Sequence, residues 1–230
     1  LQIQLIASEP EIHKPLDQAF DSRGRLWMTQ THMYPFPAKP GQPRIDSIVC
    51  MEDVNHDGTF SKITTFVDGL SIPMGIYPIG DGHQVIAYDC EPGEGQTILY
   101  TDTDGDGKAD KKEVLIHGWK YDRDTHGMSN NYRRGFDGWI YGLHGFNNID
   151  DAYGKDGVKV HMKSGNSYRF TMDGEHLQLL TEGQINPHGM CFDPLGNHYD
   201  CDSHSKPIYQ LLRGGKYEAF DRNCDDGLGL

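Results

Sequence analysis

The chain has 230 residues, 36% of them hydrophobic and 24% charged, and its 21 basic against 34 acidic side chains leave a net charge of −13. That balance argues against a nucleic-acid backbone or an anionic membrane surface as partner, and no apolar run of about 18 residues is present to span a bilayer. Twenty-eight glycines and 12 prolines without low-complexity tracts fit many short strands joined by tight turns.

The chain opens at LQIQLIASEP, with neither Met nor a charged-then-apolar leader, as expected of an exported chain whose signal peptide has been removed. A first unit, approximately residues 10–70, begins with HKPLDQAF, which reads as an innermost strand. FDSRGRLWMTQ from Phe20 supplies a turn and an aromatic strand, and SIVCMEDVNHDGTFSKITTFV reads as an outer hairpin with Asp-Gly at its turn. The second unit, 71–120, repeats this order in SIPMGIYPI, GDGHQVIAYD from Gly80 and QTILYTDTDGDGKADKKEVLI. The third, 121–183, does so in HGMSNNYRRGF, FDGWIYGLHG from Phe136 and SYRFTMDGEHLQLLT. The fourth, 184–230, carries NPHGMCF, FDPLGNHYDC from Phe192 and IYQLLRGGKYEAF, and runs out at DRNCDDGLGL.

The recurring aspartates Asp21, Asp81, Asp137 and Asp193 are 60, 56 and 56 residues apart. This period is too long for ankyrin or leucine-rich repeats and suits a four-stranded propeller blade with generous loops. The expected fold is all-β, a single β-propeller domain over 1–230. Four blades are either a closed ring or part of a larger one completed by further residues or a second chain. The aromatics, Trp27, Trp119 and Trp139 among them, read as blade core.

Five cysteines, Cys50, Cys90, Cys191, Cys201 and Cys224, are too few and scattered for a disulfide scaffold. Cys191 and Cys201 fall in neighbouring strands and either pair or stay as buried thiols. No CxxCH occurs, so this chain has no c-type haem signature of its own.

Three constellations carry chemistry. In DTDGDGKADKKE, Asp102, Asp104, Asp106, Asp110 and Glu113 fall at positions 1, 3, 5, 9 and 12 of a calcium loop, with Gly107 at the sharp turn. The flanking ILYT and EVLIHG read as strands, so the expectation is a calcium-capable hairpin turn in place of an EF-hand, against the alternative of a solvated acidic turn. Its sister loop DVNHDGTF has Asp53, Asn55 and Asp57 but lacks the later carboxylates. The stretch YDRDTHGMSNNYRR, residues 121–134, packs Asp122, Asp124, His126, Asn130, Asn131, Arg133 and Arg134 ahead of and into an innermost strand. NPHGM with DCDSHSKP offers His188, Asp202 and His204, which with Asp122 or Asp124 would make a His/carboxylate metal site; the alternative is polar loop residues at strand ends. No GxSxG, P-loop or well-placed GxGxxG supports a serine-hydrolase or nucleotide-binding reading.

The segments ASEPEIHKPLDQAFDSRGRLWMTQTHMYP, TDTDGDGKADKKEVLIHG, GFDGWIYGLHG and NPHGMCFDPLGNHYDCDSHSKPIYQLLRGG resemble successive blades of one family. It is the propeller domain of the PVC-type haem-binding proteins, also described as membrane-bound dehydrogenases, which is similar in turn to soluble quinoprotein (PQQ) glucose and sorbosone dehydrogenases. The resemblance covers nearly the whole chain. It implies a propeller of about six blades, a periplasmic or secreted location, and a separate c-type cytochrome domain or protein as electron acceptor.

It further implies that His126 abstracts a proton as hydride passes from a sugar or alcohol to pyrroloquinoline quinone. A His suits that step because its pKa lies near neutrality. Arg133 or Arg134 would steady the anionic cofactor, with Asn131, His188 and Tyr34 lining its site; the alternative for His126 is a surface or structural histidine. Two other functions remain open on the residues alone: a non-catalytic propeller binding glycans or a redox partner, and a metal-dependent propeller lactonase or lyase.

Overall fold

The computed structural model describes residues 3–217, and among these every regular element is a β-strand. The arrangement is propeller-like, with four blades. Blade 1 is β1 (Pro15–Phe20), β2 (Leu26–Gln30), β3 (Asp46–Glu52) and β4 (Lys62–Leu70), paired in that order. Blade 2 is β5 (Met74–Ile79), β6 (Gln84–Glu91), β7 (Glu94–Thr101) and β8 (Lys111–Trp119). Blade 3 is β9 (Asn130–Arg134), β10 (Ile140–His144), β13 (Asn166–Phe170) and β14 (Leu177–Glu182). Blade 4 is β15 (Pro187–Phe192), β16 (His198–Asp202) and β17 (Tyr209–Leu211). Its expected fourth strand, KYEAF, falls only in part within the described residues; the end of that segment, the DRNCDDGLGL tail and Cys224 lie outside them.

A hairpin not foreseen in the repeat, β11 (Ile149–Tyr153) and β12 (Lys159–Lys163), turns at Asp156-Gly157 and joins β8 through the Tyr153–His117 pair. The chain divides into two compact units, Leu1–Pro92 with Ile98–Glu113, and Gly93–Thr97 with Val114–Leu230.

Apolar β-branched and aromatic runs build the central strands. Val85 to Cys90 of β6 are buried without interruption, as expected of a strand covered on both faces. In the first unit Leu26, Met28, Val49 and Met51 form one core cluster. Trp27 meets Phe66 edge-on at 4.9 Å and donates its indole N–H to Asp21 at 2.9 Å. In the second unit Trp119 packs on Tyr168 at 5.0 Å and donates to Thr97 at 3.0 Å, so both buried indoles are satisfied.

The structure corrects the repeat register. Asp21 N–H bonds to the Arg25 carbonyl, Gly135 to Trp139 and Asp193 to Asn197, and the turn glycines bond back to Asp21, Ile79, Gly135 and Asp193. The matching positions are therefore Gly24, Gly82, Gly138 and Gly196, all with φ between 77° and 85° and spaced 58, 56 and 58 residues. Asp81 and Asp137 stand two residues further along this turn than Asp21 and Asp193. The left-handed turn residue sets the register, because a side chain is strained there and an aspartate can serve from several places.

Neighbouring blades within each unit share one latch. The Ile76 N–H donates to Asp17 at 3.1 Å, and the Met190 N–H donates to Asn131 at 2.7 Å; each pair spans 59 residues. A second correction concerns the thiols. Cys191 and Cys201 are exposed and form no disulfide, so they are neither paired nor buried, while Cys50 and Cys90 are buried thiols outside any disulfide. Cys191 pairs across the ladder with Tyr199, which leaves Cys201 only a diagonal neighbour, at about 7–8 Å for that geometry and beyond ordinary disulfide reach.

Candidate functional site

Within a blade, the turns after the first and third strands lie at one end, and the connections after the second and fourth lie at the other. His126, His188, Asp202, His204 and Tyr34 all belong to connections of the second kind or to the strand ends that flank them, and the Asp102 loop belongs to the first.

In blades 3 and 4 the second kind of loop forms one contiguous site. His126 lies outside any strand; Asp124 holds it, taking the His126 N–H at 2.6 Å and facing Nδ1 at 2.9 Å through the same oxygen. Asp124 is fixed in turn by Asn148, whose amide donates to the Asp124 carbonyl at 2.8 Å and accepts from its N–H at 3.3 Å. Gly127 follows His126 because a Cβ there would stand 2.1 Å from the Phe146 nitrogen. Gly145 N–H bonds to the Gly127 carbonyl at 3.0 Å, Phe146 N–H reaches Asn186 at 3.4 Å, and the Phe146 ring lies 5.9 Å from that of His204. Phe146 thus joins the loops bearing His126, His188 and His204. With Nδ1 turned to a carboxylate, the proton of neutral His126 resides there and Nε2 is the basic nitrogen, the tautomer a general base needs.

Asp202 has a different task. It accepts from the N–H groups of Ile185 (2.7 Å), Asn186 (3.0 Å) and His204 (3.1 Å) and from the Ser205 hydroxyl (2.7 Å), clamping both loops. Asp46 does the same in blade 1, taking the N–H groups of His32, Met33 and Ile72 and so positioning the loop that bears Tyr34. Among the described residues His188, Asp202 and His204 do not bring ligand atoms within 4.8 Å of one another. Asn131 is buried in the left-handed region, φ 55°, with its side-chain oxygen in the blade latch. Arg133 donates to the Tyr132 carbonyl at 2.7 Å. Arg133 and Arg134 stand near the far end of β9, about 10–13 Å along the strand from Asn130. An anionic quinone against His126 would find an exposed imidazole at His188 but not these guanidinium groups, so the donor set for it is incomplete in these residues.

The acidic loop lies between β7 and β8, two strands, as the sequence implied. It brings together Asp102, Asp104 and Asp106, with one ligand oxygen from each within 4.8 Å of the others. Burial pushes the Asp102 carboxyl up, but the N–H groups of Gly105 (2.7 Å) and Gly107 (3.0 Å), with His83, outweigh it and hold it below its ordinary value. Asp110 is turned to Thr103, whose hydroxyl it accepts at 2.7 Å, and Glu113 sits on β8 beside Lys111 at 3.9 Å. Three carboxylates fit a calcium ion that completes its six to eight oxygens with carbonyls and water, a weak site. A cavity of about 380 Å³ adjoins the loop, lined by Arg25, Glu52, Lys62 and His83.

Sequence reasoning missed the buried polar group of blade 4. Gln184 donates to both oxygens of Asp200 at 2.8 and 2.9 Å. Burial pushes the Asp200 carboxyl up to about 7, the amide opposing and the Asp202 charge adding to it. Burial lowers His198 to about 4. The only signal was the polar alternation NHYDCD, which a single repeat unit does not distinguish from an exposed strand.

Antiparallel blades with these loop ends define a β-propeller of the kind found in sugar dehydrogenases and gluconolactonases. The chain belongs to the family described as Domain of unknown function (DUF7133), whose family model matches residues 1–224. Among solved structures it is similar to the PQQ-bound aldose sugar dehydrogenase of Streptomyces coelicolor, at 14% identity and a TM-score of 0.67, covering 94% of this chain and 65% of that one. It is also similar to a Thermus thermophilus protein assigned as an oxidoreductase (glucose dehydrogenase), at 15% identity and a TM-score of 0.64, covering 94% and 67%. A third is a gluconolactonase of Xanthomonas campestris, at 16% identity and a TM-score of 0.54, covering 88% and 58%. The chain thus spans about two thirds or less of these structures. No curated protein matches it in sequence.

Proposed function

We propose that the chain is the base-bearing part of an extracytoplasmic propeller that oxidises a sugar or alcohol, of the quinoprotein type and akin to the PVC-type haem-binding family, with a c-type cytochrome as electron acceptor. The observation that carries this reading is the Asp124–His126 pair at 2.9 Å, on a loop tied to the loops of blade 4 in a fold shared with sugar dehydrogenases. Asp124 orients the imidazole, and Nε2 takes the hydroxyl proton of the substrate as the C–H bond breaks. Pyrroloquinoline quinone, when bound, would accept the hydride. Its anionic groups would be paired by residues that complete the propeller, since Arg133 and Arg134 lie toward the other end of β9. Calcium would stabilise blade 2 through Asp102, Asp104 and Asp106.

The test is dye reduction with an aldose and alcohol panel in the presence of quinone and calcium. Turnover should fall about 10²-fold or more in His126→Ala, and fall with a shifted pH profile in Asp124→Asn. Folded protein without turnover on any substrate would reject the reading. The likeness to a gluconolactonase favours a lactonase as the second reading, and hydrolysis of glucono-lactone without quinone would select it.

A further inference from the structure

At the turn ends of blades 3 and 4, away from the His126 loops, lies a cavity of about 230 Å³. Its lining includes Tyr141, Arg169, Thr181, Asn197, His198 and Arg213. Two guanidinium groups converge there on one neutral oxygen. Gln178 Oε1 accepts from Arg169 Nε at 3.2 Å, from Arg169 Nη2 at 3.0 Å and from Arg213 Nη2 at 3.3 Å. Among the described residues one carboxylate, that of Asp137, pairs with Arg169, at 2.5 Å. Asp193 stands behind Asn197, which donates to it at 2.7 Å. Arg213 is exposed, and its remaining nitrogens have no partner among the described residues.

His198 supplies an independent observation. It is 7% exposed, packed between Phe192 at 5.1 Å and Tyr141 at 5.6 Å, and its buried Nε2 has no hydrogen-bond partner. A buried polar atom without a partner is costly, and a ligand in the adjoining cavity would satisfy it. Arg169 is paired with Asp137, whereas Arg213 makes no ion pair among the described residues, so its charge is available to an anion even in a chain of net charge −13. The volume is below the roughly 300–1,000 Å³ of pockets for drug-sized ligands.

We propose that this cavity binds a small oxyanion, held by the Arg213 and Arg169 guanidinium groups and a ring N–H of His198. A planar carboxylate matches the fork of an arginine, and a phosphate offers the same acceptor oxygens. The experiment is calorimetric titration of the whole chain with sodium D-gluconate and, separately, sodium phosphate, against sodium chloride at matched ionic strength. Nitrogen-resolved NMR of the His198 ring accompanies it. Arg213→Gln lies on an exposed turn, and its fold is checked by melting temperature.

Saturable binding of either oxyanion, weakened about tenfold or more in Arg213→Gln and moving the His198 ring nitrogens in the parent, supports the site. Which salt binds names the headgroup. No heat above the chloride control, or binding unchanged in Arg213→Gln, overturns it. Binding that depends on Arg213 but leaves His198 unmoved overturns the part given to the histidine.

Discussion

Asp200→Asn should stabilise the protein at alkaline pH and do little at acid pH. Asp200 is 2% exposed, and burial raises its carboxyl from an ordinary 3.8 to about 7. Between these values the native chain binds a proton that the unfolded chain does not. The group's contribution is therefore full below about pH 4 and lost as pH rises through 7. Three pK units correspond to about 4 kcal/mol as an upper limit. Asparagine cannot ionise, keeps an oxygen for the Gln184 amide, and adds an N–H for Gln184 Oε1, which is buried without a partner. The stability gap between variant and parent should widen by about 2–3 kcal/mol from pH 5 to pH 8, or about 5–10 °C in Tm for a chain of this size. Taking the difference isolates Asp200. His198, lowered from 6.5 to about 4, loses stability as pH falls through that window, and Asp89, raised to about 6, loses it as pH rises, but both titrate equally in the two proteins. Urea denaturation at the two pH values decides it. A gap that does not change with pH, or a variant less stable at pH 8, would refute the reasoning.

Calcium at 10 mM should raise stability by about 1.4 kcal/mol if the three-carboxylate loop binds with a Kd of about 1 mM. Asp104→Asn with Asp106→Asn should abolish the shift, and no shift in the parent would remove the site. His144 and Asp150 form a buried pair at 2.6 Å. His144→Ala should cost about 3–5 kcal/mol by chemical denaturation, and a loss below about 1 kcal/mol would show that the pair is replaceable. Cys191 and Cys201 should label rapidly in the native state. Cys50 should not, because burial pushes its thiol up to about 12, and Cys90 is raised further; peptide mapping after brief alkylation reads this directly.

The blades were legible because each is a local pattern of alternating strands and glycine turns. The register was not, since Asp81 and Asp137 mimic the turn aspartates while Gly24, Gly82, Gly138 and Gly196 hold the shared backbone shape. The β11–β12 hairpin was hidden for the same reason: its Asp-Gly turn looks like part of a long blade loop. At the site, spacing along the chain found Asp102, Asp104 and Asp106, which are brought together by a turn within one hairpin. It said nothing reliable of Asp202, whose four donors come from two loops, or of the approach of Arg169 to Arg213, residues 44 positions apart. Local geometry can be read from a sequence, and convergence across blades requires the fold.

The most direct measurement is quinone-dependent dye reduction by the polypeptide as its native host makes it, with His126→Ala in parallel. The account predicts turnover of at least one aldose or alcohol, reduced about 10²-fold or more in the variant at unchanged stability. Equal turnover in parent and variant, or none in a folded parent supplied with quinone and calcium, would contradict it.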